Sequence, residues 1–360
     1  MTATTSSVPP SPSPTSARAR GGRFRQSLER MKGDGWGDVL FVPIVIVALG
    51  IYLTVTTEFF LTSINLTNLL VQGSVLAIVA FGMTFVILAG ELDLSVGSSM
   101  ALVSVISAMV MRDSGSIILG LVVAIGVGLA IGLINGLVVT LLEVPSFIAT
   151  LGMLTIAGGT ALALTDGAVI SGIPISIGNL VNEGFLGIRW VLWVVIAVFA
   201  ILYFIQSQTG FGVRVFAVGG NREASRLSAI PVDRVRLMCF VITGACVGLA
   251  GFILVARVQS GQPSAGGLLG LTAIAAIVVG GTNLLGGRGS IARTLFGVLL
   301  ISVLTNGLQL KGIDDNAQQI IIGVVFIVAA SADFVRRQLR KRARRTLPPA
   351  ATASQDGGSA

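Results

Sequence analysis

The chain has 360 residues, 53% of them hydrophobic and 11% charged, and a mean hydropathy of +0.91. A soluble domain needs about 25% charged residues to cover its surface, so the soluble classes are excluded and a bilayer is the solvent that suits this composition. The formal charge of +8 is held mainly in two clusters flanking the apolar region, where it serves as a topology signal and a contact for lipid headgroups rather than for nucleic acid.

Residues 1–35 are rich in Ser, Pro, Thr and Arg and read as a disordered cytoplasmic tail. Apolar segments long enough to cross a membrane follow at 39–57, 71–90, 94–111, 116–141, 146–164, 188–206, 236–257, 268–286, 290–310 and 318–335. The expected fold is therefore an all-α polytopic membrane protein of about ten transmembrane helices, occupying residues 36–335. Residues 336–360 form a second tail, basic at first and then disordered. With both tails in the cytoplasm, 20 of the 24 Lys and Arg fall on the inner side, as the positive-inside rule requires. Only Arg112, Arg189, Arg257 and Lys311 fall outside.

The stretch Gly90–Leu102, GELDLSVGSSMAL, holds the only charges between Glu58 and Arg112. The apolar run around it is about twice the length of one span, so the chain must turn there. Asp93 and Ser95 suit the start of the next helix, where a side-chain acceptor and a negative charge are both favourable. The other reading is that Glu91 and Asp93 line a polar path or brace a gate. A weak internal repeat relates 81–97 to 279–297, two apolar segments each followed by a polar turn and a new helix. It predicts that at least one of Glu91 and Asp93 pairs with Arg288 or Arg293 of the second turn, within a subunit or across a dimer, and helps hold an inner gate. Between the turns, Gly126, Gly128, Gly132 and Gly136 mark a close-packed helix face. Cys239 and Cys246 share one helical face as small packing residues.

There is no His, and neither a metal-ligand cluster nor a nucleophile–base pair is visible, so no enzyme activity and no cofactor are expected. Gly281–Arg288, GTNLLGGR, imitates the start of a phosphate-binding loop, but Arg288 stands where Lys then Ser or Thr should follow. If ATP drives this chain's work, another chain must hydrolyse it. The longest inner loop is Gln206–Arg236, far longer than a simple connection needs. Within it, residues 221–230 predict a short helix, with Asn221 as its cap, Glu223 in its first turn and Pro231 as its stop. Arg222 and Arg226 lie one turn apart on that helix. Such a charged helix in an inner loop suits the docking of a partner.

These stretches resemble the permease subunit of monosaccharide importers of the ATP-binding-cassette (ABC) type, the ribose, xylose and galactose class. GELDLSVGSSMAL resembles the family's Gly-x-Asp-Leu-Ser-Val-Gly signature, and VPSFIATLGMLTIAGGTALALTDG (144–167) its Pro-Phe-Ile-x-Thr-Leu-Gly segment. The long loop and the block 280–312 resemble further parts, so the likeness runs from about Val39 to Asp333. Ser146 departs from it, standing where the family often has a second Pro.

The resemblance implies a vitamin-B12-permease-like (type II importer) architecture in the bacterial plasma membrane. It implies an ATP-binding subunit on the cytoplasmic side, an extracytoplasmic sugar-binding protein and a second permease copy. It makes the loop helix the ATPase-coupling element, with Asn221, Arg222, Glu223, Ala224, Arg226 and Leu227. By position it gives the path wall to Phe147, Thr150 and Leu151. Two alternatives stand beside it. One is an ion-coupled secondary transporter using Glu91 or Asp93 as carrier. The other is a same-fold permease for branched-chain amino acids or an autoinducer.

Overall fold

The computed structural model describes residues 36–328 and Ser331. The two tails, residues 1–35 and 336–360, lie outside the described residues, as does most of 329–335. Among the described residues the fold is all-α apart from a hairpin of two-residue strands, Gly184–Phe185 with Ile188–Arg189, and an isolated bridge between Ile170 and Gly261. Its helices are α1 (Trp36–Thr56), α2 (Ser63–Leu88), α3 (Val96–Ser114), α4 (Ile117–Leu141) and α5 (Ser146–Ala163). After a short turn of helix, α6 (Asn179–Asn182), come α7 (Trp190–Gln208), α8 (Gly210–Gly220) and α9 (Arg222–Leu227). Then follow α10 (Val232–Val258), α11 (Leu269–Val279), α12 (Ile291–Leu310) and α13 (Asp315–Val328).

Among the described residues, seven helices are long and apolar enough to cross a membrane: α2, α3, α4, α5, α7, α10 and α12. The shorter apolar stretches Leu40–Thr56, Leu269–Val279 and Asp315–Val328 fall on the other three predicted segments. The segment 268–286 needs correction. Its helix, α11, has 11 residues, which at 1.5 Å per residue is about half of a 30 Å hydrocarbon core. It stops at Gly280, and Gly281, Gly286, Gly287 and Gly289 all have positive φ in the turn that leads to α12. Helix α2 begins eight residues before the expected 71, because Thr62 caps it by accepting a hydrogen bond from Asn65 N at 3.3 Å.

The core is built around α2 and α10. From Ser74 to Leu88, every residue of α2 is buried. Helix α10 packs along α4, α2 and α3. Its approach to α4 is glycine on glycine. A Cβ on Gly128 would stand 2.3 Å from Gly244 O, and one on Gly132 would stand 2.5 Å from Phe240 O. Gly136 meets Leu237 in the same seam, whereas Gly126 faces open space. With no hydrophobic drive between helices in lipid, such close backbone contact supplies the attraction. Cys239 and Cys246 are free and buried in this core, and Cys246 packs against Gly82.

Candidate functional site

The two polar turns, 89–95 and 280–290, lie against one another. Gly287 N donates to Leu88 O at 2.9 Å. Into the same place comes the end of α8. A Cβ on Gly219 would stand 1.8 Å from Leu88 O and 2.6 Å from Gly287 N. One on Gly286 would stand 2.8 Å from Gly90 Cα, and one on Gly287 would stand 2.8 Å from Gly220 Cα. Three backbones therefore meet with no side chain between them, at the point where both turns adjoin the long loop.

Helix α9 starts directly from this knot. Asn221 caps it, its Oδ1 accepting from Ala224 N at 3.0 Å, and Glu223 sits in the first turn, where the dipole favours an acid. The helix ends at Ser228, and Ala229 turns left-handed at φ 57° before Pro231. The predicted helix 221–230 thus exists, shorter by its last turn. Sequence reading missed the preceding α8, whose start is capped by Thr209 Oγ1 accepting from Gly212 N at 3.4 Å. The signal was present in that Thr, but the four glycines that follow within α8, Gly210, Gly212, Gly219 and Gly220, read as loop.

Glu91, only 4% exposed, is the electrostatic centre of the junction. Its Oε1 accepts hydrogen bonds from Arg222 Nη2, on α9, and from Arg236 Nε, on α10, at 2.6 Å in the latter case. Arg222 Nη2 also donates to Gly90 O at 3.0 Å. Arg236 is fixed further by Asp233 Oδ1 at 3.2 Å and Val139 O at 3.5 Å. A carboxylate withdrawn from water needs such partners, since its desolvation cost is otherwise uncompensated. The arrangement joins the first membrane turn, the loop helix and the start of α10 through one carboxylate oxygen.

Asp93 is different. Its Oδ1 accepts from Ser95 N at 2.9 Å and Ser95 Oγ at 2.6 Å, and Asn135 Nδ2 of α4 donates to Ser95 Oγ at 2.9 Å. Asp93 thus shapes the entry to α3 with Ser95. Ser95 makes no side-chain cap of its own. Neither acid forms an ion pair with Arg288 or Arg293 within the chain, so the expected pairing within a subunit is corrected. The reason is geometric: the second turn meets the first through glycine backbone, and the arginines that reach Glu91 come from the loop side. Arg288 contributes its carbonyl, which accepts from Asn283 N at 2.8 Å. Arg293 stands in α12, its carbonyl facing Gly280.

The three residues expected to wall a path separate in the structure. Phe147 and Leu151 are exposed on α5, at 50% and 38%. Thr150 is fully buried, its hydroxyl donating to Ser146 O at 2.7 Å and lying 3.4 Å from Leu92 O. It faces the first turn, so its side chain does not share the open face of Phe147 and Leu151. Ser146 has a part that its position did not announce. Its Oγ accepts from Leu92 N at 3.2 Å, tying the start of α5 to the same turn.

On α9 the outward residues are Glu223, Ala224, Arg226 and Leu227, with Leu227 90% exposed. Arg226 reaches Asp233 at 3.5 Å, both side chains half in water. The helix therefore turns Arg222 inward to Glu91 and presents an acid, a base and a bare leucine outward.

The family described as branched-chain amino acid transport system / permease component matches residues 65–330. The chain belongs to that family. It is 40% identical to the ribose import permease protein of Bacillus subtilis, over 82% of this chain and 90% of the relative. It is 33% identical to the L-arabinose ABC transporter permease protein of Azospirillum brasilense, over 92% and 96%. With the xylose transport system permease protein of Escherichia coli it shares 32% identity, over 82% and 91%. No solved structure matches the chain. As a member of this family it is a multi-pass membrane permease subunit and not an enzyme.

Proposed function

We propose that this chain is the membrane-spanning subunit of an ATP-driven importer that carries a monosaccharide inward by alternating access. Its relatives named for ribose, arabinose and xylose support the sugar over a branched-chain amino acid or an autoinducer. The observation that carries the coupling role is the tie from α9 through Arg222 to Glu91. An ATPase docked on Glu223, Arg226 and Leu227 would move α9. The tie and the glycine knot would pass that movement to both membrane turns at once. In this reading α9, the basic residues of its loop and both tails are cytoplasmic, in a bacterial plasma membrane with anionic lipid. An extracytoplasmic sugar-binding protein delivers the substrate at the opposite face.

The reading includes a second permease copy, because one chain offers one outward coupling helix and an ATPase pair needs two. The exposed apolar face of α5, with Phe147 and Leu151, is the surface proposed for the path and the partner copy. An ion-coupled carrier is the weaker reading, since Glu91 is held by two guanidinium groups and Asp93 by Ser95. The test is reconstitution of the permease with its ATPase and binding protein in proteoliposomes. Uptake of radiolabelled ribose, xylose or arabinose should require ATP inside and survive collapse of ion gradients. Uptake that follows an ion gradient without ATP would overturn the reading. Native mass spectrometry of the same complex should show two permease copies.

A further inference from the structure

A cavity of about 580 Å3 lies between α2, α3, α10, α11, α12 and α13, and α5, the face proposed for the path, contributes nothing to its wall. Arg257 of α10 lines it, and its Nη1 donates to Gln72 O at 3.1 Å. Arg257 is half-buried and has no carboxylate partner among the described residues. No acidic side chain lines the cavity. Two other cations at the helix ends remote from α9 are matched. Arg112 meets Asp113 at 2.8 Å, and Lys311 meets the Tyr52 hydroxyl at 2.6 Å.

The depth of Arg257 follows from its helix. Arg236 and Arg257 stand 21 residues apart on α10, about 31 Å at 1.5 Å per residue. A hydrocarbon core is about 30 Å thick. Arg236 meets Glu91 in the turn that joins α2 to α3, so Arg257 falls at the opposite boundary, at the level of lipid phosphates. From that level the wall turns apolar with depth. On α2, Val75 and Leu76 lie one turn deeper than Gln72. On α10, Leu254 lies one turn deeper than Arg257, and on α12, Ile301 lies one turn deeper than Thr305. The side chains of Gln72 and Thr305 make no hydrogen bond among the described residues.

We infer that this cavity seats an anionic glycerophospholipid, its phosphodiester on Arg257 and an acyl chain along the apolar depth. The gradient carries the ligand class. A guanidinium without an acid suits the paired oxygens of a phosphate, and the neighbouring amide and hydroxyl can donate to the oxygens that remain. A free inorganic anion would leave the apolar depth unfilled. An ammonium headgroup would find no carboxylate, which favours a glycerol head. The inference rests on the membrane placement of α2, α10 and α12 and not on the cargo, so the outcome of an uptake assay leaves it standing.

The test uses the complete complex, purified in detergent and depleted of its own lipid. Phosphatidylglycerol should raise its melting temperature saturably, whereas phosphatidylcholine of the same chains and inorganic phosphate should not. Arg257→Gln should weaken the apparent affinity about tenfold or more, with Arg257→Lys between the two. A phosphatidylglycerol with a photoreactive group in its chain should crosslink to the cavity segments of α2, α10 and α12, and unlabelled phosphatidylglycerol should compete. Ile322→Trp, which fills the cavity from α13, should suppress that crosslink with Arg257 in place, and gives the reading where Arg257→Gln fails to assemble. Equal stabilisation by phosphatidylcholine or by inorganic phosphate would overturn the inference. So would crosslinks spread alike over the lipid-facing helices of the parent and both variants, which would show annular lipid only. Absence of any crosslink at the cavity would mean that protein closes it in the complex, and would overturn the inference too.

Discussion

Arg222 of the loop helix and Glu91 of the first membrane turn share a hydrogen-bonded ion pair across 131 residues of chain. Arg236 meets the same carboxylate oxygen from the other side. The two arginines differ in environment, and that difference separates their expected roles. Arg236 is 10% exposed and Arg222 is 42% exposed.

Removing one partner of a buried pair leaves a lone charge and costs about 3–5 kcal/mol. Exposed pairs contribute about 0–1 kcal/mol. Arg236→Gln should therefore lower thermal stability of the detergent-solubilised permease clearly, while Arg222→Gln should shift it little. Uptake should be lost in both. Equal stability losses in a scanning-fluorimetry comparison would mean that Arg222 is more than a surface contact for folding.

The glycine knot makes a second prediction. With Leu88 O 1.8 Å from an added Cβ, Gly219→Ala must push α8 away from both turns. Overpacking of this kind typically costs about 1–3 kcal/mol. Membrane yield and melting temperature should fall, and uptake should fall further than either. Gly126→Ala, which meets nothing within 4 Å, is the control and should behave as the parent chain.

Leu227 is apolar, 90% exposed and placed at the tip of α9. Leu227→Asp should leave the permease folded, as measured by melting temperature, yet reduce co-purification of the ATPase and its stimulation by loaded binding protein. Glu223→Ala with Arg226→Ala should act in the same direction. Retained stimulation in both variants would place the docking surface elsewhere.

How much of this was legible in the sequence differs by element. The long spans were read from hydrophobic length, and Gly128, Gly132 and Gly136 were read as a packing seam, because both signals are local. The loop helix was read from its cap and its stop for the same reason. Helix α11 was read too long, since Gly280 and Gly281 are apolar enough to extend a span while their backbone leaves the helix. Within the chain, Glu91 has other partners than the repeat suggested. The repeat pointed to Arg288 and Arg293, but the contact is set by how α9 folds back on the turn, which no local pattern encodes. Ser146 was visible as a departure from the family, and its bond to Leu92 N depends on a neighbour 54 residues away.

That bond yields a further expectation. Proline suits the first position of a helix, where it sacrifices no intrahelical bond, so Ser146→Pro should leave α5 intact. It would leave the part-buried Leu92 N without its acceptor, a loss below the ~1–3 kcal/mol of a fully buried donor. Hydrogen exchange should then quicken at the turn 91–95 more than within α5.

The central claim is that movement of α9 reaches the membrane turns through Arg222 and Glu91. A double-mutant cycle on ATP-driven uptake, using Glu91→Gln, Arg222→Gln and the pair in proteoliposomes with ATPase and binding protein, tests it most directly. Contacting residues couple by about 0.5–3 kcal/mol. The account predicts that the double variant is no slower than the worse single variant, with ATPase docking retained in all three. Simple multiplication of the two single losses would contradict it.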